Sequence, residues 1–138
     1  MGVCCGQKYP NEELNECKTI NEIIELLNKK RESFKSEIIQ IEDYLEDSNK
    51  TVEFINVKGI DKKVLQKRIP YLRDLNNAYE HLAEILEKNP NLPLNETKNH
   101  VNTIISFYHQ IYDPNGDLAK NIKYFEDFVH KQNKQQKN

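Results

Sequence analysis

Residues 19–47 have the sequence TINEIIELLNKKRESFKSEIIQIEDYLED, in which apolar residues recur every three or four positions. Such spacing places them on one face of an α-helix. Thr19 and Glu22 open the segment with a Thr-x-x-Glu capping box, which satisfies two backbone N–H groups at a helix start. We therefore predict a long amphipathic helix that begins at Thr19 and ends near residues 47–49. Its apolar face consists of Ile20, Ile23, Ile24, Leu27, Phe34, Ile38, Ile41 and Leu45.

Three further segments show the same periodicity, with predicted N-caps at Asp61, Asn95 and Asp117, and the first of them ends near Lys88. Pro70 lies inside that second predicted helix. Because proline removes a backbone donor and clashes with the preceding turn, we expect it to kink or divide the helix. The pattern predicts an all-α protein, an antiparallel four-helix bundle whose second helix is kinked at Pro70. The apolar face of the third helix contains Val101, Ile104, Ile105, Tyr108, Ile111 and Tyr112.

The chain divides into one helical body with polar ends. We predict a flexible leader over residues 1–18, the helical bundle over residues 19–132 and a polar tail over residues 133–138. Residues 50–60 are rich in β-branched and aromatic side chains, but an isolated strand has no sheet to join. We interpret them as a connection that packs on the bundle.

Composition and charge are not typical of several classes of protein. The chain has 138 residues and a mass of 16.3 kDa, the size of one domain. Hydrophobic residues make up 37% and the mean hydropathy is -0.84, so the core has to come from narrow apolar faces. A total of 20 Lys and Arg against 22 Asp and Glu gives a net charge of -2, which is not typical of a nucleic-acid-binding protein. No run approaches the ~18 apolar residues of a membrane span, and we expect no secretory signal.

The N-terminal residues Met1-Gly2-Val3-Cys4-Cys5-Gly6 indicate lipid attachment. Removal of Met1 exposes the amine of Gly2, which can then carry a myristoyl group. The sequence resembles the N-termini of dually acylated peripheral membrane proteins, which pair Gly2 with nearby palmitoylated cysteines. The resemblance implies myristate on Gly2, palmitate on Cys4 and Cys5, and a location at the cytosolic leaflet of a membrane. It covers residues 1–6 and implies no fold.

A second lipid is expected because residues 1–18 contain no basic cluster. A single myristoyl chain binds membranes only marginally, and stable anchoring needs a second signal. Without a polybasic patch, that signal has to be palmitate on Cys4 or Cys5. The alternative is an ordinary N-terminal segment that carries no lipid.

Opposite charges lie on either side of the connection between the first two predicted helices. In one interpretation they pair across the helical hairpin, where each exposed pair contributes little. In the other, the basic residues form a contact surface for an anionic membrane or an acidic partner. The acidic residues are Glu37, Glu42, Asp43, Glu46, Asp47 and Glu53, and the basic residues of the candidate contact surface are Lys58, Lys62, Lys63, Lys67, Arg68 and Arg73.

Aromatic residues are frequent late in the chain. At helical spacing such residues are usually part of the core. In the alternative, if Phe107 and Tyr124 lie off the buried faces, they form a docking surface for other helices. The cluster comprises Phe107, Tyr108, Tyr112, Tyr124, Phe125 and Phe128.

No group of residues indicates catalysis or a metal site. Asp113, Asn115 and Asp117 match the first ligand spacings of an EF-hand, but Leu118 and Tyr124 stand where that loop needs Gly and Glu. The serines lack the Gly-x-Ser-x-Gly turn of hydrolases, and there is no phosphate-binding loop. We therefore expect no enzyme, no cofactor and no small-molecule substrate.

Three hypotheses for the function stay open. We favour a non-enzymatic helical adaptor or scaffold, anchored to the cytosolic face of a membrane through N-terminal lipids, that binds a protein partner. The alternative is a structural subunit of a large cytoskeletal, ciliary or organellar assembly, which an exposed apolar stripe would favour. The third is a small metal or redox protein that uses Cys4, Cys5 and Cys17.

Overall fold

The computed structural model of the protein describes residues 12–47 and 62–136. The helices are α1 (Glu12–Asn15), α2 (Ile20–Glu46), α3 (Lys62–Lys88), α4 (Leu94–Ser106) and α5 (Asp117–Gln136), and a 3-10 turn, Phe107–His109, follows α4. Every regular element within the described ranges is helical, which confirms the all-α class. The two longest helices, α2 and α3, have 27 residues each.

The start of α2 carries the predicted capping box. The N–H of Glu22 donates to Thr19 Oγ1 at 3.1 Å, and the N–H of Lys18 donates to the carboxylate of Glu22 at 3.2 Å. The bond to Thr19 satisfies an N–H group that a helix start leaves unpaired, whereas the Glu22 carboxylate binds the N–H of Lys18, one residue before the cap, instead of that of Thr19. At the other end, Glu46 is the last helical residue and Asp47 is extended, close to the predicted end.

α2 and α3 pack against each other along their apolar faces. Arg31 of α2 donates hydrogen bonds to Asn76 at 3.1 Å and to Glu80 at 2.8 Å, whereas Glu37 of α2 accepts one from Arg68. Because higher numbers on α2 meet lower numbers on α3, the two helices run in opposite directions. Burial of an apolar side chain here stabilises the fold by about 1.5–3 kcal/mol. The fully buried residues of this pair include Ile23, Leu27, Ile41, Leu72, Leu75 and Leu82.

α3 continues through Pro70 as one helix. The side chain of Pro70 is exposed, and its neighbours Tyr71 and Leu72 are buried. A proline in a helix interior costs about 3 kcal/mol, so the packing of the flanking turns has to offset that loss. The proline therefore does not divide the helix into two.

α4 starts and ends differently from the prediction. Its N-cap is Pro93, so Asn95 lies in the first turn and does not cap the helix. The α-helix ends at Ser106, where the prediction extended it to Tyr112. Ile111 and Tyr112, which we expected on a buried helical face, are exposed in the connection to α5. The physical reason is a set of hydrogen bonds from α3 to the carbonyl groups that follow α4, described below.

α5 begins where it was predicted but has a different cap and a later end. The carboxylate of Asp113, and not that of Asp117, accepts hydrogen bonds from the first N–H groups of the helix. The helix continues to Gln136, so part of the predicted polar tail is helical. Near its end the amide of Asn133 donates to Asn89 Oδ1 at 3.1 Å, which ties this part of α5 to the segment after α3.

The prediction of a flexible leader is wrong for residues 12–18. Leu14 of α1 is fully buried and Cys17 is buried, so this part of the chain packs on the helical body. Lys98 of α4 also donates from Nζ to the carbonyl of Asn15 at 3.1 Å. An apolar Leu and a thiol in an otherwise polar segment supply the contact that holds it.

Several predictions concern residues outside the described ranges. Gly2, Cys4 and Cys5 belong to residues 1–11, and Lys58, together with the predicted connection and the cap at Asp61, belongs to residues 48–61. Among the described helices, none has the combination of length and hydropathy that a membrane-spanning helix requires.

Candidate functional site

Arg68 is the centre of a buried polar cluster. Its side chain is 7% exposed, and Nε donates to Glu37 Oε2 at 2.9 Å. Nη2 donates to the carbonyl of Tyr108 at 3.2 Å, and Nη1 donates to the carbonyl of Gln110. Every nitrogen of the guanidinium thus has an acceptor, which is what a buried charge requires. Arg68 is therefore not part of an exposed basic surface, which corrects its place in the predicted set.

The partner carboxylate of Glu37 is equally satisfied. Its side chain is 1% exposed, and its second oxygen, Oε1, accepts a hydrogen bond from the hydroxyl of Tyr108 at 2.7 Å. Burial, followed by the hydrogen bond to Glu37, raises the pKa of Tyr108 to about 12. The phenol therefore keeps its proton at physiological pH and stays a donor. The ring of Phe34 stacks on that of Tyr108 at 5.4 Å and closes the cluster on the α2 side.

Two tyrosines of α3 bind further carbonyl groups at the end of α4. The hydroxyl of Tyr71 donates to the carbonyl of Phe107 at 2.6 Å, and that of Tyr79 donates to the carbonyl of Ile105 at 3.4 Å. Carbonyl groups at a helix end lack partners within the helix. Here side chains of α3 supply the donors, so the chain can leave the α-helical path after Ser106.

The connection between α4 and α5 presents two apolar side chains. Ile111 is 45% exposed and Tyr112 is 40% exposed. The ammonium of Lys67 lies over the ring of Tyr112, 5.2 Å from its centroid, in cation–π geometry. An exposed basic residue of α3 thus contacts Tyr112, which follows the exposed Ile111 in the connection.

The far side of this connection is held by Asp113. Its Oδ1 accepts from the N–H of Asp117 at 3.1 Å, and its Oδ2 accepts from the N–H of Leu118 at 2.8 Å. Burial acts to raise the pKa of Asp113, but hydrogen bonds from backbone N–H groups outweigh it and lower the pKa below 3.8. Gly116 has a φ of 70°, a left-handed conformation that glycine adopts without steric cost. The turn is therefore built to place Asp113 at the start of α5.

The other predicted basic residues are spread over the start of α3. Lys62, Lys63 and Lys67 are exposed. Arg73 is also exposed, and it lies 3.8 Å from the carboxylate of Glu42 on α2. Together with the pair formed by Arg68, this contact supports the interpretation in which charges pair across the α2–α3 hairpin.

The late aromatic residues do not form one docking surface. Phe107 and Phe125 are buried, and Phe128 is half-buried against His100 of α4, with ring centroids 4.7 Å apart. Tyr124 is exposed on α5. Phe107 is therefore part of the core, as expected for most aromatic residues at helical spacing, and among these residues exposure is limited to Tyr124 and Tyr112.

A cleft of about 400 Å³ lies between α3 and the start of α5. Its lining includes the carboxylates of Asp74 and Asp113 and the imidazole of His81. His81 Nε2 lies 2.8 Å from the carboxylate of Glu126, a surface pair that links α3 to α5. Two of the lining side chains thus act between elements, since Asp113 caps α5 and His81 pairs with Glu126.

Cys17 lacks the features of a reactive thiol. It is buried, and its Sγ lies 3.5 Å from the carbonyl of Glu13. Burial, followed by the nearby charge of Glu22, raises its pKa, whereas reactive and metal-binding cysteines have a lowered pKa. Within residues 12–47 and 62–136, no three His, Cys, Asp or Glu side chains are grouped as metal ligands.

Sequence reasoning missed the pairing of Glu37 with Arg68, although a signal was present. Glu37 falls between Phe34 and Ile41 on the apolar face of α2, and Arg68 falls on the corresponding face of α3. Two opposite charges, each interrupting an apolar face, point to a buried pair.

The comparisons with known proteins identify no relative. No protein-family model matches the chain, and no curated protein or solved structure is significantly similar to it. The function therefore has to be argued from the residues and their geometry.

Proposed function

We propose that the chain is a non-enzymatic helical adaptor or scaffold, anchored to the cytosolic face of a membrane through N-terminal lipids. Myristate on Gly2 and palmitate on Cys4 and Cys5 form the anchor, and the helical body presents a surface to a protein partner. The observation that carries the proposal is the N-terminal sequence, in which the acceptor for a first lipid stands beside two acceptors for a second.

Buried polar side chains fix the helices of the body that, in this proposal, presents the binding surface. The buried or half-buried polar side chains of Glu37, Arg68, Tyr71 and Tyr108 are all bonded to one another or to carbonyl groups. Groups bonded in this way hold helices in place.

In this proposal, α2 to α5 form an antiparallel bundle, and α3 is bent at Pro70. The opposite directions of α2 and α3 support the arrangement, as does the contact of Asn133 with Asn89, which brings a late residue of α5 to the end of α3. Distances between spin labels placed on exposed residues of α2 and α5 test it, since a bundle fixes the order of those distances.

The first experiment combines intact mass with membrane fractionation of the protein from its native cells. We expect loss of Met1, a myristoyl mass and a second acyl mass that hydroxylamine removes. Gly2→Ala should move the protein to the soluble fraction. Cys4→Ser combined with Cys5→Ser should also move the protein to the soluble fraction. Cys17→Ser is the matched control and should leave the distribution unchanged, because that thiol is buried in the helical body. An unmodified chain whose distribution ignores Gly2→Ala would contradict the proposal.

The second candidate, a structural subunit of a large assembly, has less support. It requires an apolar stripe left exposed along the body. The large exposed apolar residues in the described part of the chain lie on three separate elements: Ile39 on α2, Ile111 and Tyr112 after α4, and Tyr124 on α5. Residues spread in this way do not form the continuous apolar stripe along the body that this candidate requires, although Ile111 and Tyr112 are adjacent.

A further inference from the structure

We propose that Lys63, Lys67, Ile111 and Tyr112 form a surface, the loop surface, through which the helical body rests on an anionic lipid bilayer. The inference rests on the proposed membrane anchor. It adds the face of the body that contacts the lipid, which the anchor alone leaves open.

The two apolar members of the loop surface are neighbours in sequence and are both exposed. Tyrosine is enriched at membrane–water interfaces, where its ring lies at the apolar boundary and its hydroxyl stays in water. The isoleucine beside it adds apolar area that gains free energy on leaving water. The pair is therefore suited to shallow insertion between lipid headgroups.

The connection that carries Ile111 and Tyr112 is fixed on both sides in the free protein. Arg68 binds the carbonyls of Tyr108 and Gln110 on one side, and Asp113 binds the start of α5 on the other. A segment that is already ordered loses less conformational entropy on binding. The loop surface thus has the geometry of a preformed contact.

The charge next to the apolar pair favours an anionic bilayer as the occupant. Lys67 contacts the ring of Tyr112, and Lys63 lies one turn earlier on the same face of α3. Lysines close to an anionic membrane surface are attracted to it. The same face carries Asp74 two turns after Lys67, so the basic part is confined to the start of the helix, beside the exposed loop.

The lipid anchor is long enough to act together with the loop surface. Residues 2–12 span at most about 33 Å when extended. The chain enters the body beside Lys30, whose Nζ lies 3.8 Å from Glu13. Arg68 lies next to the loop surface and pairs with Glu37 of α2. The distance along α2 from Lys30, near the anchor, to Glu37, near the loop surface, is about 10 Å. The distance along α2 is therefore shorter than the reach of residues 2–12.

A single introduced tryptophan tests the contact, because the chain contains no Trp. In the full chain, Ile111→Trp should emit at shorter wavelength with vesicles of phosphatidylcholine and phosphatidylserine, and brominated lipid should quench it. Ile39→Trp is the matched control, because Ile39 is 58% exposed but lies on α2 outside the loop surface, and its emission should not change. Tyr112→Trp is the second reporter if circular dichroism shows that Ile111→Trp disturbs folding.

The role of charge is tested by Lys67→Gln. Loss of one lysine at an anionic surface should weaken vesicle binding about fivefold. Lys35→Gln, at an exposed position of α2, should leave the binding unchanged. Vesicles of phosphatidylcholine alone should bind both variants equally, because they offer the lysine no opposite charge.

The measurements are made on the acylated chain and on the Gly2→Ala chain, so that the two proposals fail separately. If the native chain carries no lipid but Ile111→Trp still shifts in the Gly2→Ala background, the anchor is wrong and the loop surface stands. If lipid is present but Ile111→Trp behaves as Ile39→Trp does, the loop surface is wrong and the anchor stands. A shift that an added protein produces and vesicles do not also overturns the inference.

Discussion

Arg68→Met is expected to destabilise the protein by about 3–5 kcal/mol, because it leaves a buried carboxylate without its counter-ion. The side chains of Glu37 and Arg68 are 1% and 7% exposed, so water has little access to replace the lost partner. The same substitution removes the side-chain donors of the carbonyls of Tyr108 and Gln110. The expected cost therefore lies toward the upper end of that range.

Arg73→Met is the matched control for this prediction. Arg73 and Glu42 also join α3 to α2, but their side chains are 60% and 52% exposed and the closest atoms are 3.8 Å apart. An exposed pair of this kind contributes about 0–1 kcal/mol. The difference between the two arginine variants thus measures what burial adds to the same pair of charges.

Urea unfolding followed by circular dichroism measures the free energy of unfolding of both variants, and thermal unfolding measures Tm. For a domain of this size, 1 kcal/mol corresponds to roughly 4 °C in Tm, so Arg68→Met should lower Tm by about 12–20 °C. The double variant Glu37→Leu, Arg68→Met should lose less free energy of unfolding than the two single variants lose together, because it leaves no unpaired charge. Equal losses for Arg68→Met and Arg73→Met, or strict additivity in the double variant, would refute the reasoning.

Three other side chains give testable predictions. Asp113→Ala should lower stability in urea by about 1 kcal/mol, the usual effect of losing a helix cap. Because folding lowers the pKa of Asp113, its contribution is present at neutral pH and is lost as the pH falls through that lowered value, so the difference between the wild type and Asp113→Ala should shrink in acid. Burial lowers the pKa of His100, so the folded state favours the neutral ring, and stability falls as the pH drops below 6.5. His100→Gln should reduce that slope in unfolding curves recorded between about pH 7 and about pH 5. In a chain with Cys4→Ser and Cys5→Ser, Cys17 should react with a thiol reagent far more slowly when folded than in urea, and equal rates would show that the thiol is accessible.

The parts of the fold that depend on local sequence could be predicted. The bounds of α2 follow from a capping box and an apolar face of regular spacing, and the structure has both. The start of α5 follows from the predicted cap at Asp117, although the carboxylate that caps the helix is that of Asp113. These features depend on residues within one or two turns of each other, which is the range over which helix propensity and capping act.

The end of α4 could not be predicted, because it depends on residues far away in the chain. Tyr108, Ile111 and Tyr112 continue the spacing of an apolar helical face. In the structure, Arg68 and Tyr71 bind carbonyl groups of residues 107, 108 and 110, and these tertiary bonds outweigh the local preference. Tertiary contacts override helix propensity wherever several charged or buried hydrogen bonds act on one turn.

The same contacts explain why the basic stretch of α3 has two separate roles. Arg68 points into the body and fixes the connection after α4, and Lys67, one residue earlier, points outward and lies over Tyr112. Neighbouring residues on a helix are about 100° apart, so two adjacent cations reach different environments. A uniform basic surface is therefore the wrong description of residues 62–73. The buried arginine binds the connection that carries the exposed apolar pair, and the outward Lys67 supplies the charge on which the proposed contact with an anionic bilayer depends.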